Sequence, residues 1–178
     1  RRKDGRYEAR EPRFVEADGA VRQRSFYGRT AKEAMEKRAK AMRLAEAGAS
    51  DASRAAATRA MLHASLVGVD SHGVRLTGHY CRMLAGGRLS KDPQLGVDKR
   101  GAGSAMVDGA DGLGHYAAYK AVEVGMELAR EAGVGAVGIK NSSHLGAAGA
   151  YALAGAEEGF VTFATTNTDS MVALFDGA

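Results

Sequence analysis

An α/β chain carrying a small N-terminal β-sheet, α+β when taken whole, is predicted by three observations. Short apolar runs of strand length alternate with longer helical patterns through residues 46–178. Alanine and glycine dominate after Leu44, whereas the preceding segment is rich in arginine. The charge divides at the same place. Residues 1–43 carry 14 Lys/Arg against 7 Asp/Glu, and residues 44–178 carry 11 against 14. Two modules follow, residues 1–45 and residues 46–178.

In the first module Asp4-Gly5 opens Arg6-Tyr7-Glu8-Ala9-Arg10, which alternates like a strand. A second run around Phe14-Val15 leads into Asp18-Gly19, a hairpin-turn pair. The third run, Val21 to Tyr27, ends at Gly28. Thr30-Ala31-Lys32-Glu33 matches a capping box, and helix formers run on to about Ala47. Three antiparallel strands and one helix are expected.

In the second module an alanine-rich helix follows Gly48, capped by Ser50 or Asp51, with its apolar face from Ala55 to Val67. The Asp70-Ser71-His72-Gly73 turn precedes a helix carrying Leu76, Tyr80, Met83 and Leu84, which Gly86-Gly87 ends. A loop through Pro93 leads to a strand at Ser104–Asp108. A helix is expected at about 116–132, a buried strand at 134–139, a helix at about 147–158 and a strand at 160–165.

Composition excludes several classes. The chain is 45% hydrophobic and 26% charged, which is the balance of a globular protein. Cys81 is the single cysteine, so neither a disulfide framework nor a cysteine zinc site can form, and no metal is expected. No apolar run reaches bilayer length, so no membrane partner is expected and a cytoplasmic location is the default.

Two segments carry the chemistry. Gly68-Val-Asp-Ser-His-Gly-Val-Arg75 and Asn141-Ser-Ser-His-Leu-Gly146 each set a histidine beside glycine and a small hydroxyl residue, after an apolar run. Histidine titrates near neutral pH and can pass a proton to or from a substrate oxygen. Glycine admits a ligand close to the backbone. The ordinary reading of either segment alone is a hydrogen-bonded loop histidine; two in one α/β module suggest a site. The glycines of Asp108-Gly-Ala-Asp-Gly-Leu-Gly114 lack the Gly-x-Gly-x-x-Gly spacing of a dinucleotide fingerprint and read as a turn leading into a helix.

Lys3 to Arg10 and Arg24 to Ala34 resemble the arm-type DNA-binding domain of phage-integrase-like tyrosine recombinases. That resemblance implies contact between duplex DNA and Arg10, Arg13, Arg22, Arg24 and Arg29, through phosphates. A solvated basic surface is the other reading of the same residues. The recombinase catalytic domain has no counterpart in the chain, which excludes recombination.

Across residues 44–178 the blocks Asp70-Ser-His-Gly-Val74, Val107-Asp-Gly109 with Gly112-Leu-Gly114, Gly133-Val-Gly-Ala-Val137, Asn141-Ser-Ser-His144 with Gly146, and Thr166-Asn-Thr-Asp-Ser170 resemble, in order, those of the malate/L-lactate dehydrogenase family. The resemblance implies a non-Rossmann, NAD- or NADP-dependent oxidoreductase, acting as a homo-oligomer such as a dimer on a small 2-hydroxy or 2-oxo acid. It implies His144 as general acid/base, with His72 a second proton donor. Ser71, Arg75, Tyr80, Thr168 and Asp169 would lie toward substrate, and Gly146, Ala147 and Asn167 toward cofactor. Some members place the carboxylate-binding arginine one residue later, where this chain has Leu76, and a core role is the competing reading of Tyr80. The family continues past the position of Ala178, so residues 46–178 are read as an incomplete domain fused to the arm, an enzyme fragment that is active or inactive. Phe175 stands where relatives often carry histidine.

Overall fold

The structure, a computed structural model, describes residues 4–10, 14–15, 21–22, 25–28, 30, 39 and 43–167. The N-terminal residues form two separate two-stranded pairings. β1 (Tyr7–Arg10) pairs antiparallel with β4 (Ser25–Gly28), setting Ala9 opposite Phe26 and Glu8 opposite Tyr27. β2 (Phe14–Val15) pairs antiparallel with β3 (Val21–Arg22), so the hairpin expected around Asp18-Gly19 forms, its turn lying outside the described residues. The expected single three-stranded sheet is therefore corrected. The run from Val21 to Tyr27 divides its backbone between two partners: its first residues return on β2, and its last lie along β1. Of the helix expected to reach Ala47, residue 39 and residues 43–46 are described and are helical.

α1 (Asp51–Leu66) is built from small residues, which lets neighbouring helices approach closely. Ser50 occupies its N-cap position, but its side chain makes no capping bond. Two 3-10 turns, Asp70–His72 and Val74–Leu76, lead into α2 (Thr77–Ala85). Next come β5 (Gly96–Gly101), β6 (Ser104–Asp108), α3 (Gly114–Ala132), β7 (Ala136–Lys140) and α4 (Gly149–Glu157). The sheet order is β5-β6-β7. β5 is antiparallel to β6, whereas β6 and β7 are parallel, with α3 as their crossover.

Three clusters form the core. Leu44, Met61, Tyr80, Leu84, Leu89 and Leu113 join α1 and α2 to the segment before them, so Leu44 packs with the second module. Val107, Ala117, Val124 and Leu128 join the sheet to α3. Ala60, Ala118, Ala150 and Tyr151 hold α1, α3 and α4 together.

Residues 160–165 are the second correction. They run without a ladder partner among the described residues, and Val161 and Phe163 are exposed. Their alternation is satisfied by packing instead: Ala164 lies against the third cluster and Thr162 against Gly155. β5 is an addition to the sequence reading. Its residues, Gly-Val-Asp-Lys-Arg-Gly, are all exposed, so no buried face marks it in the sequence. Among the described residues no helix is long and apolar enough to cross a membrane.

The fully buried Leu84 and the exposed Leu66 give a contrast. Leu84→Ala is expected to lower unfolding stability by about 2–5 kcal/mol, and Leu66→Ala by well under about 1 kcal/mol. Denaturant titration of both variants checks this.

Candidate active site

The two loops that leave the parallel strands β6 and β7 are stitched together. Gly109 N–H donates to Lys140 O at 2.9 Å, and Asp111 N–H to Asn141 O at 2.9 Å. Asp108 Oδ2 accepts from Asn141 Nδ2 at 3.0 Å, and its Oδ1 accepts the Ala110 N–H at 3.0 Å. The Ala110 bond above all, with help from Asn141 and Lys140, holds this carboxyl below its ordinary range. Ser143 completes the seam, its hydroxyl donating to Gly112 O and accepting from Gly114 N–H, both at 2.9 Å. A Cβ on Gly114 would stand 2.1 Å from Ser143 O, so glycine is required for the start of α3 to lie this close. Two blocks distant in sequence thus form one unit that presents His144.

Opposite stands the segment from Asp70 to Tyr80. Ser65 Oγ on α1 accepts the Val74 N–H at 3.1 Å, fixing the two 3-10 turns against α1. Ser71 Oγ is 2.9 Å from His72 Nδ1. The rings of His72 and His144 lie 5.3 Å apart between centroids. The ring of Tyr80, fully buried in the first cluster, carries its hydroxyl to 2.7 Å from His144 Nδ1. The ring of Tyr80 is thus core, and its hydroxyl is the point at which the core meets His144.

Electrostatics favour a neutral His144. Partial burial of the ring, then the nearby His72 and His79, pushes its pKa below the ordinary histidine value. Burial pushes the Tyr80 phenol upward, so it stays protonated at neutral pH. A phenol can donate to Nδ1 or accept from it, and in either case Nδ1 is occupied. Nε2 has no partner among the described residues and is the nitrogen left for a ligand.

His115, at the start of α3, was not singled out from the sequence. Its side chain is fully buried, edge-on to Tyr80 at 4.8 Å and 83°. Neither ring nitrogen has a partner among the described residues. Burial, with a smaller contribution from His144, lowers its pKa to about 3. Its signal lay in the histidine count: of five in the chain, His79, His115 and His144 lie against Tyr80, and His72 lies against His144. Gly146, at φ +79°, lies close to Nε2 and Cδ2 of the His115 ring.

The remaining expected residues are placed as follows. Arg75 is exposed and has no ion-pair partner among the described residues, whereas Leu76 turns into the first cluster. Ala147 lies in the loop before α4, and Asn167 is exposed at the end of the described chain. Tyr151 anchors that loop by donating its hydroxyl to Leu145 O. Thr168 and Asp169 lie outside the described residues, as do Arg13, Arg24 and Arg29. Arg22 lies in β3, and exposed Arg10 is held by Glu8 at 3.0 Å.

Comparison with known proteins decides the family: the pattern of malate/L-lactate dehydrogenases matches residues 31–178. The chain belongs to the malate/L-lactate dehydrogenase family. It is similar to a malate dehydrogenase of Pyrococcus abyssi, 37% identical over 117 residues that cover 66% of this chain and 32% of that one. An L-sulfolactate dehydrogenase of Methanocaldococcus jannaschii is 32% identical over 114 residues, covering 64% and 33%. The malate dehydrogenase structure from Pyrococcus horikoshii superposes with a TM-score of 0.66 at 32% identity, covering 69% of this chain and 35% of the other. The chain spans about a third of the length of these relatives.

The buried His115 makes stability pH-dependent. Its folded pKa of about 3 lies below the ordinary 6.5, so the unfolded chain takes up the proton first as pH falls. Stability is fully present above about pH 6.5 and is lost on acidification toward about 3, by up to about 1.4 kcal/mol per pH unit. His144 acts in the same direction. Melting temperatures measured from neutral pH to about pH 4.5 should fall less steeply in His115→Gln than in the parent chain. Equal slopes would show that His115 is not held neutral by the fold.

Proposed function

We propose that this chain carries the proton-transfer side of an NAD- or NADP-dependent oxidoreductase that interconverts a small 2-hydroxy acid and a 2-oxo acid. The observation that carries the reading is the 2.7 Å bond from Tyr80 to Nδ1 of His144, which leaves Nε2 open beside His72. Oxidation removes a hydride from C2 of the hydroxy acid and a proton from its hydroxyl. His144 Nε2 takes that proton, and in the reverse direction returns one to the oxygen of the oxo acid. A neutral histidine suits the oxidising direction at neutral pH, and the lowered pKa of His144 supports it.

A nicotinamide cofactor would supply the hydride acceptor or donor. The loop after His144 fits such a group: among the described residues, the backbone N–H groups from Leu145 to Ala148 have no acceptor within the chain. Gly146, Ala147 and Asn167 are the residues that would hold it. Arg75, exposed and without an ion-pair partner among the described residues, would clamp the substrate carboxylate through its planar fork of donors, with Ser71 and His72 toward the same substrate. Thr168 and Asp169 would complete the substrate side. Malate and L-sulfolactate, the substrates in the names of two relatives, belong to the proposed substrate class, 2-hydroxy acids with a second acidic group. For residues 1–45 the charge favours duplex DNA. However, Arg6 and Arg10 are engaged by Asp4 and Glu8, so that charge alone carries no functional assignment.

Reduction of small 2-oxo acids, followed by loss of NADH or NADPH absorbance, tests the reading. His144→Ala should lower kcat by about 10²–10⁴-fold. Arg75→Leu should act mainly on KM. Turnover that is indifferent to His144→Ala would remove His144 as the proton-transfer group.

A further inference from the structure

We propose that His115 is a positioning residue for His144, acting through the Tyr80 ring and touching no ligand itself. The inference rests on the reading of His144 as the proton-transfer group. His115 is fully buried, so neither substrate nor cofactor can reach it in this arrangement. Both of its nitrogens lack hydrogen-bond partners among the described residues. An unmatched buried N–H is costly, and an apolar side chain of similar size would avoid that cost. What the imidazole provides is shape: a flat ring in contact with both Tyr80 and the loop at Gly146.

His115 meets Tyr80 edge-on, with centroids 4.8 Å apart at 83°. A Cβ on Gly146 would lie 3.1 Å from His115 Nε2, so glycine lets the loop after His144 come this close to the ring. Tyr80 in turn lies nearly parallel to His144, at 22°, with its hydroxyl on Nδ1. His115 therefore sets the angle at which the Tyr80 oxygen meets His144. Its being neutral also matters, because a charge here would repel the proton that His144 must accept. The titratable groups around this unit are Tyr80 and His79 on α2, His72 in the turn before it, His144 in the loop after β7, and Tyr151 on α4.

The test is the NMR titration of the His144 ring in the whole chain without substrate or cofactor. The parent midpoint should lie below the ordinary histidine value. With Nε2 the open base, Nδ1 carries the hydrogen and donates it to the Tyr80 oxygen, a bond that favours the charged ring, so Tyr80→Phe should move the midpoint further down. His115→Ala should move it down by at least half as much, and should add nothing in the Tyr80→Phe background. Gly146→Ala, which crowds His115 Nε2, should also lower it and serves if His115→Ala does not fold. A folded His115→Ala chain with an unchanged midpoint overturns the proposal. So does a shift of equal size in the Tyr80→Phe background, which would mean that water entry, not Tyr80, carries the effect. Because no turnover is read, this outcome is separate from the kinetic test of His144.

Discussion

The hydrogen bond between Tyr80 and His144 joins residues 64 positions apart and ties the two halves of the second module at one atom pair. Tyr80 comes from α2, in the cluster that joins α1, Leu89 and Leu113. His144 comes from the loop that β7 delivers, and that loop is held in place by the sheet and by α3. Packing on both sides is thus converted into the position of one imidazole nitrogen. A solvent-exposed phenol would spend its hydroxyl on water. Burial gives it one partner among the described residues and makes the bond directional.

The stitching of the β6 and β7 loops explains why short sequence blocks far apart share one task. Asp108, Gly109 and Gly112 belong to one loop and Asn141 and Ser143 to the other, and backbone and side-chain bonds of the seam run between them. The unit lies at the carboxyl ends of the two parallel strands, where α/β sheets generally place their ligands. Asn141, with a φ of +46°, adopts the left-handed conformation that lets its carbonyl reach Asp111. Small residues at the bends and polar residues across them produce a rigid platform, and His144 follows from it directly.

Much of this was legible in the sequence, and the exceptions share a physical cause. α3 and β6 have buried faces with clear periodicity, and the two Ser-His segments announce themselves by composition. β7 alternates as expected but is half-buried at most, with Val137 and Ile139 against the second cluster, which corrects the buried strand expected at 134–139. β5 has no buried face, so nothing in its polarity distinguishes it from loop. Residues 160–165 show the opposite case: alternation is present, but among the described residues no neighbouring strand takes up the backbone. The N-terminal pairings depend on which partner each half of one apolar run meets, and local pattern does not encode that choice. His115 looked like an ordinary helix residue because its significance is tertiary, a matter of what lies across the core from it.

The account depends on His144 being neutral, with Nδ1 committed to Tyr80 and Nε2 left for proton traffic. The most direct measurement is 15N NMR of the His144 ring at neutral pH, in the parent chain and in Tyr80→Phe. The account predicts a ring carrying one proton, with the Nδ1 resonance moving on loss of the Tyr80 hydroxyl and the ring remaining in place. A ring protonated on both nitrogens at neutral pH, or an Nδ1 resonance indifferent to Tyr80→Phe, would contradict it.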